Sequence, residues 1–434
     1  MPELTPLHSW IAEKIGCAPE ALTRVAIAAY QLDKLNETLA LCRAHSPFYR
    51  KKLAGLPEKI SSLAELQALP FTTADDVRER PLTLLTVSQS EIARVVTLDT
   101  SGTSGPPKRL YFTAADQELT RDFFHIGMAT FTAPGDRVLI LLPGERPGSV
   151  GDLLAQALPR LGAVGIAHGL VTDVAQTLEI LRAEQATGVV GMPVQVLALV
   201  RAATAQQLPR PQLKSVLLTT DHVPAAIVQA VENAWNCTVY NHYGMTEMGL
   251  GGGVECAART GYHLREADML FEIVDPETGD LLPDGAYGEL VFTTLTRQGM
   301  PLIRYRTGDI SRFLPGDCAC GTTLRRLETV RYRWHGRFPH TTTSFLTMAE
   351  LDDALFPLPG VLDFAAVISD TELRVTVQAA EDGGLATAVT HAITNLPAVR
   401  QLGLAVSVQV QSDRVSPPGK RKLTIASSVG TELA

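Results

Sequence analysis

The run Thr100-Ser101-Gly102-Thr103-Ser104-Gly105-Pro106-Pro107-Lys108 mixes hydroxyls, glycines and a lysine. Small residues leave backbone N–H groups free to surround anionic oxygens, and hydroxyls add further donors. With the positive charge of Lys108, phosphate binding is the chemistry such a run can do. Pro107 stands where a Walker A loop needs its second glycine, which disfavours that phosphate-binding class. A second run, Asn241-His242-Tyr243-Gly244-Met245-Thr246-Glu247, directly follows the predicted strand Thr238–Tyr240. There Glu247 offers carboxylate oxygens of the kind Mg²⁺ takes, and Tyr243 offers a flat stacking face. In a third, Tyr305-Arg306-Thr307-Gly308-Asp309, an acid after a tight turn can accept hydrogen bonds from two ribose hydroxyls. The fourth is Pro417-Pro418-Gly419-Lys420-Arg421-Lys422, where Lys420 is a mobile point charge suited to a developing phosphate charge. Taken singly, each also reads as an ordinary solvated loop, turn or basic tail.

Thiols form a separate constellation. Cys318 and Cys320 are two residues apart, and Cys256 and His263 follow the second run. Three thiolates and an imidazole would close a tetrahedral Zn²⁺ site, structural rather than catalytic, with Glu255 able to stand in for His263. Reduced, partly buried thiols without metal are the alternative. Cys17, Cys42 and Cys237 read as ordinary buried small residues.

The elements that must position these groups alternate in the middle of the chain. Apolar runs at Arg137–Leu142, Ala163–Ala167, Gly188–Gly191, Ser215–Leu218 and Thr238–Tyr240 are separated by helical spacing at Ser149–Leu161, Asp173–Ala186 and Pro224–Trp235. That alternation predicts a largely parallel, helix-covered sheet with ligands at the carboxyl ends of its strands. Residues 1 to about 90 read as mostly helical, with a break at Pro47. Leu270–Val274 and Gly288–Thr293, with turn-forming residues between them, predict a β-rich region. From Thr347 a small α+β unit follows. The predicted class is therefore α/β: a large N-terminal domain, 1–337, with mostly parallel helix-covered sheets and a β-rich subdomain, then a small mobile C-terminal α+β domain, 338–434.

Size and composition agree. With 434 residues, 45% hydrophobic and 19% charged, the chain is globular and large enough for more than one domain. A net charge of −8 argues against non-specific nucleic-acid or anionic-membrane partners. No apolar run reaches the roughly 18–20 residues of a membrane span, and no apolar signal core opens the chain, so a cytoplasmic protein is expected. Six cysteines are too few for a disulfide scaffold in a chain this long.

In this order the four runs resemble the adenylate-forming superfamily of acyl- and aryl-CoA ligases and adenylation domains. Within it the chain looks most like the phenylacetate–CoA ligase branch, through Ser46-Pro47-Phe48-Tyr49, Leu69-Pro70-Phe71-Thr72-Thr73 and Cys318-Ala319-Cys320-Gly321. The resemblance runs from about residue 40 to about residue 425. It implies that Ser101, Gly102, Thr103, Ser104, Gly105 and Lys108 hold the β- and γ-phosphates of ATP. Asn241 would face the adenine amino group and Tyr243 would pack on the base, with Gly244 in the same nucleotide-binding stretch. Thr246 would touch the α-phosphate, Glu247 would carry Mg²⁺, and Asp309 would bind the ribose. Arg337, after Gly336, would sit near the ribose and phosphates at the hinge, and Lys420 would stabilise adenylate formation. The implied reaction joins a small carboxylic acid, of the aryl class, to AMP with release of pyrophosphate, and then to coenzyme A. A homodimer is common in the family.

Two places depart from that pattern. Phe338-Pro339-His340-Thr341-Thr342-Thr343 follows the hinge pair, and Pro339 fixes φ and removes a donor there. A carrier-protein thiol or another nucleophile therefore stays open as acceptor, as does a non-catalytic nucleotide-binding relic. Thr219-Thr220-Asp221-His222 stands where the family often has Gly-Gly-Glu, which would narrow or repolarise the pocket. Phe124, His168, His222 and His242 are the substrate-side candidates, each equally readable as a core or surface residue.

Overall fold

The structure, a computed structural model, describes residues 3–98, 107–339, 345–380, 382–412 and 421–426. Contacts divide the chain into two compact units, Met1–Gly169 with Tyr240–Thr329 and Leu170–Val239 with Val330–Ala434. Both mix helices and strands, as the α/β expectation requires.

The first unit opens with the helices Pro6–Ile15 and Arg24–His45. Pro47 ends the long helix and begins the next, Pro47–Lys52, whose Ser46 cap accepts from the Tyr49 N–H. Proline suits a first helical turn, where its missing donor has no intrahelical partner to lose. Strands Ile92–Leu98 and Lys108–Thr113 pair antiparallel, a ladder the sequence reading did not foresee. The helix Ala114–Met128 follows through a capping box: Thr113 accepts from the Asp116 N–H, and Asp116 accepts from the Thr113 N–H. Buried Asp116 also accepts from the N–H groups of Gln298 and Gly299, so one carboxylate ties the helix start to a loop far along the chain. Arg137–Leu141 and Val164–Ala167 pair in parallel across the helix Val150–Ala157, as the alternation predicted.

The β-rich region is also as expected. Met269–Val274, Gly288–Thr294 and Tyr305–Ser311 form an antiparallel set, the first two in register from Met269↔Thr294 to Val274↔Glu289. Glu272 and Arg304 pair through two hydrogen bonds of 3.0 and 3.1 Å inside it, with Arg304 over the Phe71 ring at 4.0 Å.

In the second unit, Gly188–Gly191 and Ser215–Leu218 pair in parallel and are wholly buried, which is why both read as unbroken apolar runs. A four-stranded sheet runs in the order Ala405–Gln411, Glu372–Gln378, Asp363–Ile368, Leu423–Ile425. Its central pair is antiparallel and both outer pairs are parallel. Helices Met348–Leu355, Leu385–Thr394 and Pro397–Leu402 belong to the same segment. Among the described residues no helix is long and apolar enough to cross a membrane.

Candidate nucleotide site and thiol cluster

The strand beginning at Thr238 runs on to Tyr243, because His242 and Tyr243 pair with Val254 and Gly253. Asn241, His242 and Tyr243 are therefore strand residues, not the loop that their polar character suggested. Gly244 then turns the chain. A Cβ there would collide with the carbonyl of Leu250, so only glycine allows the backbone approach. A short turn, Thr246–Met248, delivers half-buried Thr246 and Glu247, the latter only 2% exposed.

Three distant stretches meet at Glu247. Its Oε1 accepts from Lys108 Nζ at the start of the Lys108–Thr113 strand, and from Tyr305 OH at 3.1 Å. Lys108 Nζ also reaches Tyr305 OH at 3.3 Å, and Arg297 donates to the Glu247 carbonyl at 2.8 Å. Burial pulls the Arg297 guanidinium down to about 10, with Asp116 opposing the shift. At neutral pH it remains a cation.

Asp309 lies inside the Tyr305–Ser311 strand rather than after a turn. Gly308, at φ +76°, sits where the register with Gly288–Thr294 shifts, and the resulting bulge re-aims the acid. Buried Asp309 accepts from Tyr243 OH at 2.7 Å. The segments around Tyr49 and Thr72 brace this strand from behind. Tyr49 OH pairs with Thr72 Oγ1 at 2.9 Å and accepts from the Ile303 N–H, and the Thr72 backbone exchanges hydrogen bonds with Arg304 and Arg306 on either side of Tyr305.

The structure thus joins Lys108, Glu247, Tyr243 and Asp309, all foreseen, and adds Tyr305 and Arg297, which were not assigned roles. Tyr305 stood at the head of a recognised run; Arg297 carried no local signal. The Asn241 N–H donates to Glu255 at 2.8 Å. Arg337 belongs to the second unit, where its guanidinium lies 3.2 Å from the Trp334 ring centre and Nε donates to the Trp334 carbonyl. Ser101, Gly102, Thr103, Ser104, Gly105 and Lys420 lie outside the described residues.

Of the substrate-side candidates, His242 lies near the rings of Phe123 and Phe124, at 6.3 and 6.4 Å. Burial pulls its imidazole down to about 4, so it is neutral at ordinary pH. His168 Nδ1 contacts the Gly169 carbonyl. His222 is committed to Asp353 at 3.2 Å within the second unit.

The donor set at Glu247 suits a hard cation. Mg²⁺ is usually held by one or two carboxylates plus substrate phosphates. Here the Lys108 ammonium already brings a positive charge to the buried carboxylate oxygen.

The second constellation also assembles. Cys256, His263, Cys318 and Cys320 are all buried, and their ligand atoms lie within 4.8 Å of one another. Tetrahedral Zn²⁺ at about 2.3 Å from sulfur and about 2.05 Å from nitrogen needs S···S edges of roughly 3.8 Å and S···N edges of roughly 3.5 Å. Cys256 Sγ and Cys318 Sγ are 3.7 Å apart, and Cys320 Sγ and His263 Nε2 are 3.5 Å apart. The Cys256–Cys320 contact, helped by His263 against burial, pulls the Cys320 thiol down, and the same contact together with burial pushes Cys256 up. Glu255 is engaged by the Asn241 N–H.

Residues 52–296 match the family model described as AMP-binding enzyme. The chain is 32% identical over 326 residues to a phenylacetate-coenzyme A ligase of Thermus thermophilus, covering 72% of this chain and 71% of that protein. It is 30% identical over 319 residues to the phenylacetate-coenzyme A ligase of Escherichia coli, covering 71% of each. Its fold is similar to that of 2-hydroxyisobutyryl-CoA ligase crystallised in the postadenylation state with R3-HIB-AMP, at a TM-score of 0.80 and 22% identity, over 94% of this chain and 91% of that one.

Proposed function

The chain belongs to the AMP-binding enzyme family, and from that premise we propose that it activates a small carboxylic acid of the aryl class with ATP and passes the acyl group to coenzyme A. In the first half-reaction a carboxylate oxygen attacks the α-phosphorus of ATP, and the bond to pyrophosphate breaks. In the second, the thiol sulfur of coenzyme A attacks the acyl carbonyl, and AMP leaves. The observation that carries this reading is the convergence of Lys108, Tyr243, Glu247, Tyr305 and Asp309 from three separate stretches through direct hydrogen bonds.

The obstacle in the first step is charge: an anionic acid must approach a polyanion. Magnesium held at Glu247 would supply neutralising charge to the phosphates. Around it, Ser101, Gly102, Thr103, Ser104, Gly105 and Lys108 donate to the β- and γ-phosphates, and Thr246 donates to the α-phosphate. Asn241, Tyr243 and Gly244 take the base, Asp309 takes the ribose hydroxyls, and Arg337 lies near the ribose and phosphates. Lys420, on a mobile C-terminal domain from residue 338 onward, stabilises the charge that develops on the α-phosphoryl group and withdraws for the second step. In the same reading Cys256, His263, Cys318 and Cys320 take a structural Zn²⁺ that pins the loops after Glu247 and Asp309.

The test is acid-dependent exchange of labelled pyrophosphate into ATP across a panel of aryl and alkyl acids, followed by AMP release with and without coenzyme A. Exchange that requires an acid, with AMP release rising on addition of coenzyme A, is expected. Exchange with no response to coenzyme A would move the acceptor to a carrier-protein thiol or another nucleophile. AMP binding with no exchange for any acid would leave only a nucleotide-binding relic.

A further inference from the structure

The second unit holds a buried ionic cluster with no role in the chemistry above. Arg421 is at its centre, its side chain only 4% exposed and its guanidinium 4.8 and 5.0 Å from the ring centres of Phe356 and Phe364. Nη2 donates to Asp352 Oδ1 at 2.6 Å, and Nη1 lies 3.6 Å from Asp363 Oδ1. Nε lies 3.8 Å from Asp221 Oδ2, and that same oxygen accepts from the Arg421 backbone N–H at 3.2 Å. Beside the cluster, His222 Nε2 meets Asp353 Oδ1 at 3.2 Å.

These contacts fall into two classes. Asp352, Asp363, Phe356 and Phe364 lie on the same C-terminal segment as Arg421. The Asp221 contact, the His222–Asp353 contact and the bonds from Arg201 to the carbonyls of Phe356 and Leu358, at 3.1 and 3.3 Å, instead tie the 170–239 segment to the 345–426 segment. Between those segments lies a cleft of about 1890 Å³, lined by Arg201, Asp221, Asp353, Asp363 and Arg421 among others. Polar points along a cleft can let go without opening an apolar core, unlike an interdigitated interface.

The loop that supplies the grip is itself costly. Thr220 has φ +76°, a left-handed conformation that disfavours a β-branched residue. Strain of this kind persists only where surrounding contacts hold it in place. Here it precedes Asp221 and His222, two of the three residues that reach across.

We propose that Asp221 is a positioning residue for adenylate formation. It grips the amide of Arg421, the residue bonded to Lys420, and with His222 and Arg201 holds the lysine-bearing segment on the 170–239 segment during the first half-reaction. Release of the same three contacts accompanies acyl transfer. This rests on the reading of Lys420 as the adenylation lysine.

The test compares Asp221→Asn, Asp221→Glu and Asp353→Asn with the unaltered enzyme. Three quantities are measured: acid-dependent pyrophosphate exchange, acyl transfer to coenzyme A from supplied acyl-adenylate, and hydrogen exchange of the amides from Arg421 to Ile425. For Asp221→Asn, kcat for pyrophosphate exchange falls about tenfold or more, since small misplacements of a catalytic group are that costly. Its KM for ATP stays within about twofold, and transfer from supplied adenylate is unchanged or faster. The Arg421 amide loses protection, Asp221→Glu restores part of the exchange activity, and Asp353→Asn gives a weaker form of the same split. Parallel loss of both half-reactions, or a folded Asp221→Asn with normal exchange activity, overturns the proposal. If the unaltered enzyme makes no adenylate from any acid, it is the functional reading that has failed. Amide exchange then decides the grip alone: faster exchange in Asp221→Asn supports it, and unchanged protection overturns it.

Discussion

Removing one oxygen from Tyr243 tests the nucleotide site at its best-defined contact. In Tyr243→Phe the ring stays, and with it the packing against Tyr262 at a centroid distance of 5.9 Å. What goes is the 2.7 Å bond from the phenol to Asp309 Oδ2, between two buried side chains. A hydrogen bond to a charged group contributes about 1.5–3 kcal/mol, and truncating one partner of a buried pair costs in that range. Part of the loss falls on the fold. On the proposed ribose role of Asp309, the rest falls on nucleotide binding, because its carboxylate loses the contact that holds it in place. If half to all of about 2 kcal/mol appears in binding, ATP affinity drops about five- to thirtyfold, at about 1.4 kcal/mol per decade. The assay is the ATP dependence of acid-supported pyrophosphate exchange, with AMP-induced thermal stabilisation as an independent measure of binding. KM for ATP rises within that range while kcat changes less than about threefold, the signature of lost uniform binding. A lower melting temperature with unchanged ATP KM and unchanged AMP stabilisation would refute the reasoning, leaving the bond as a strut and Asp309 without a ribose role.

Metal analysis of the purified protein should find about one zinc per chain, and Cys318→Ser should lower both metal content and melting temperature while AMP binding persists; less than about 0.2 zinc per chain would remove the metal from the thiol cluster. Burial raises the Asp352 carboxyl from 3.8 to about 7, with Arg421 opposing. Its folded pKa lies above its unfolded one, so its contribution to stability is fully present below the ordinary aspartate range and fades as pH rises through about 7. His222 works in the same direction: burial lowers its pKa, but Asp353, Asp352 and Asp221 outweigh that and the net shift is upward. Between pH 5 and 7 the unaltered protein should lose stability progressively relative to Asp352→Asn, and parallel pH profiles in thermal melts would contradict this.

How much was legible depended on where the determining interactions lie. The strand Glu372–Gln378 is legible because Leu373, Val375 and Val377 alternate with half-buried or exposed residues, a period visible without a partner. The buried runs Gly188–Gly191 and Ser215–Leu218 were legible for a related reason: burial on both faces leaves them uniformly apolar. The strand Ile92–Leu98 was missed because it alternates only between half-buried and exposed positions and buries no residue fully. The end of the Thr238–Tyr243 strand was missed because Asn241-His242-Tyr243 looks like a loop until Gly253 and Val254 pair with it.

The amino-acid order by itself determined the chemical inventory: which stretches could meet phosphate, ribose or a soft metal, and in what sequence they occur. Residue type and near-neighbour spacing suffice for that. Only the tertiary structure decided that Lys108 closes on a carboxylate 139 residues away, that Tyr305 joins the pair, and that Tyr243 meets Asp309. It likewise brought Asp221 and His222 against the C-terminal segment. Such pairings follow from burial, since a charged group taken out of water must find its partner wherever packing brings one, and that address is not written in the residues beside it.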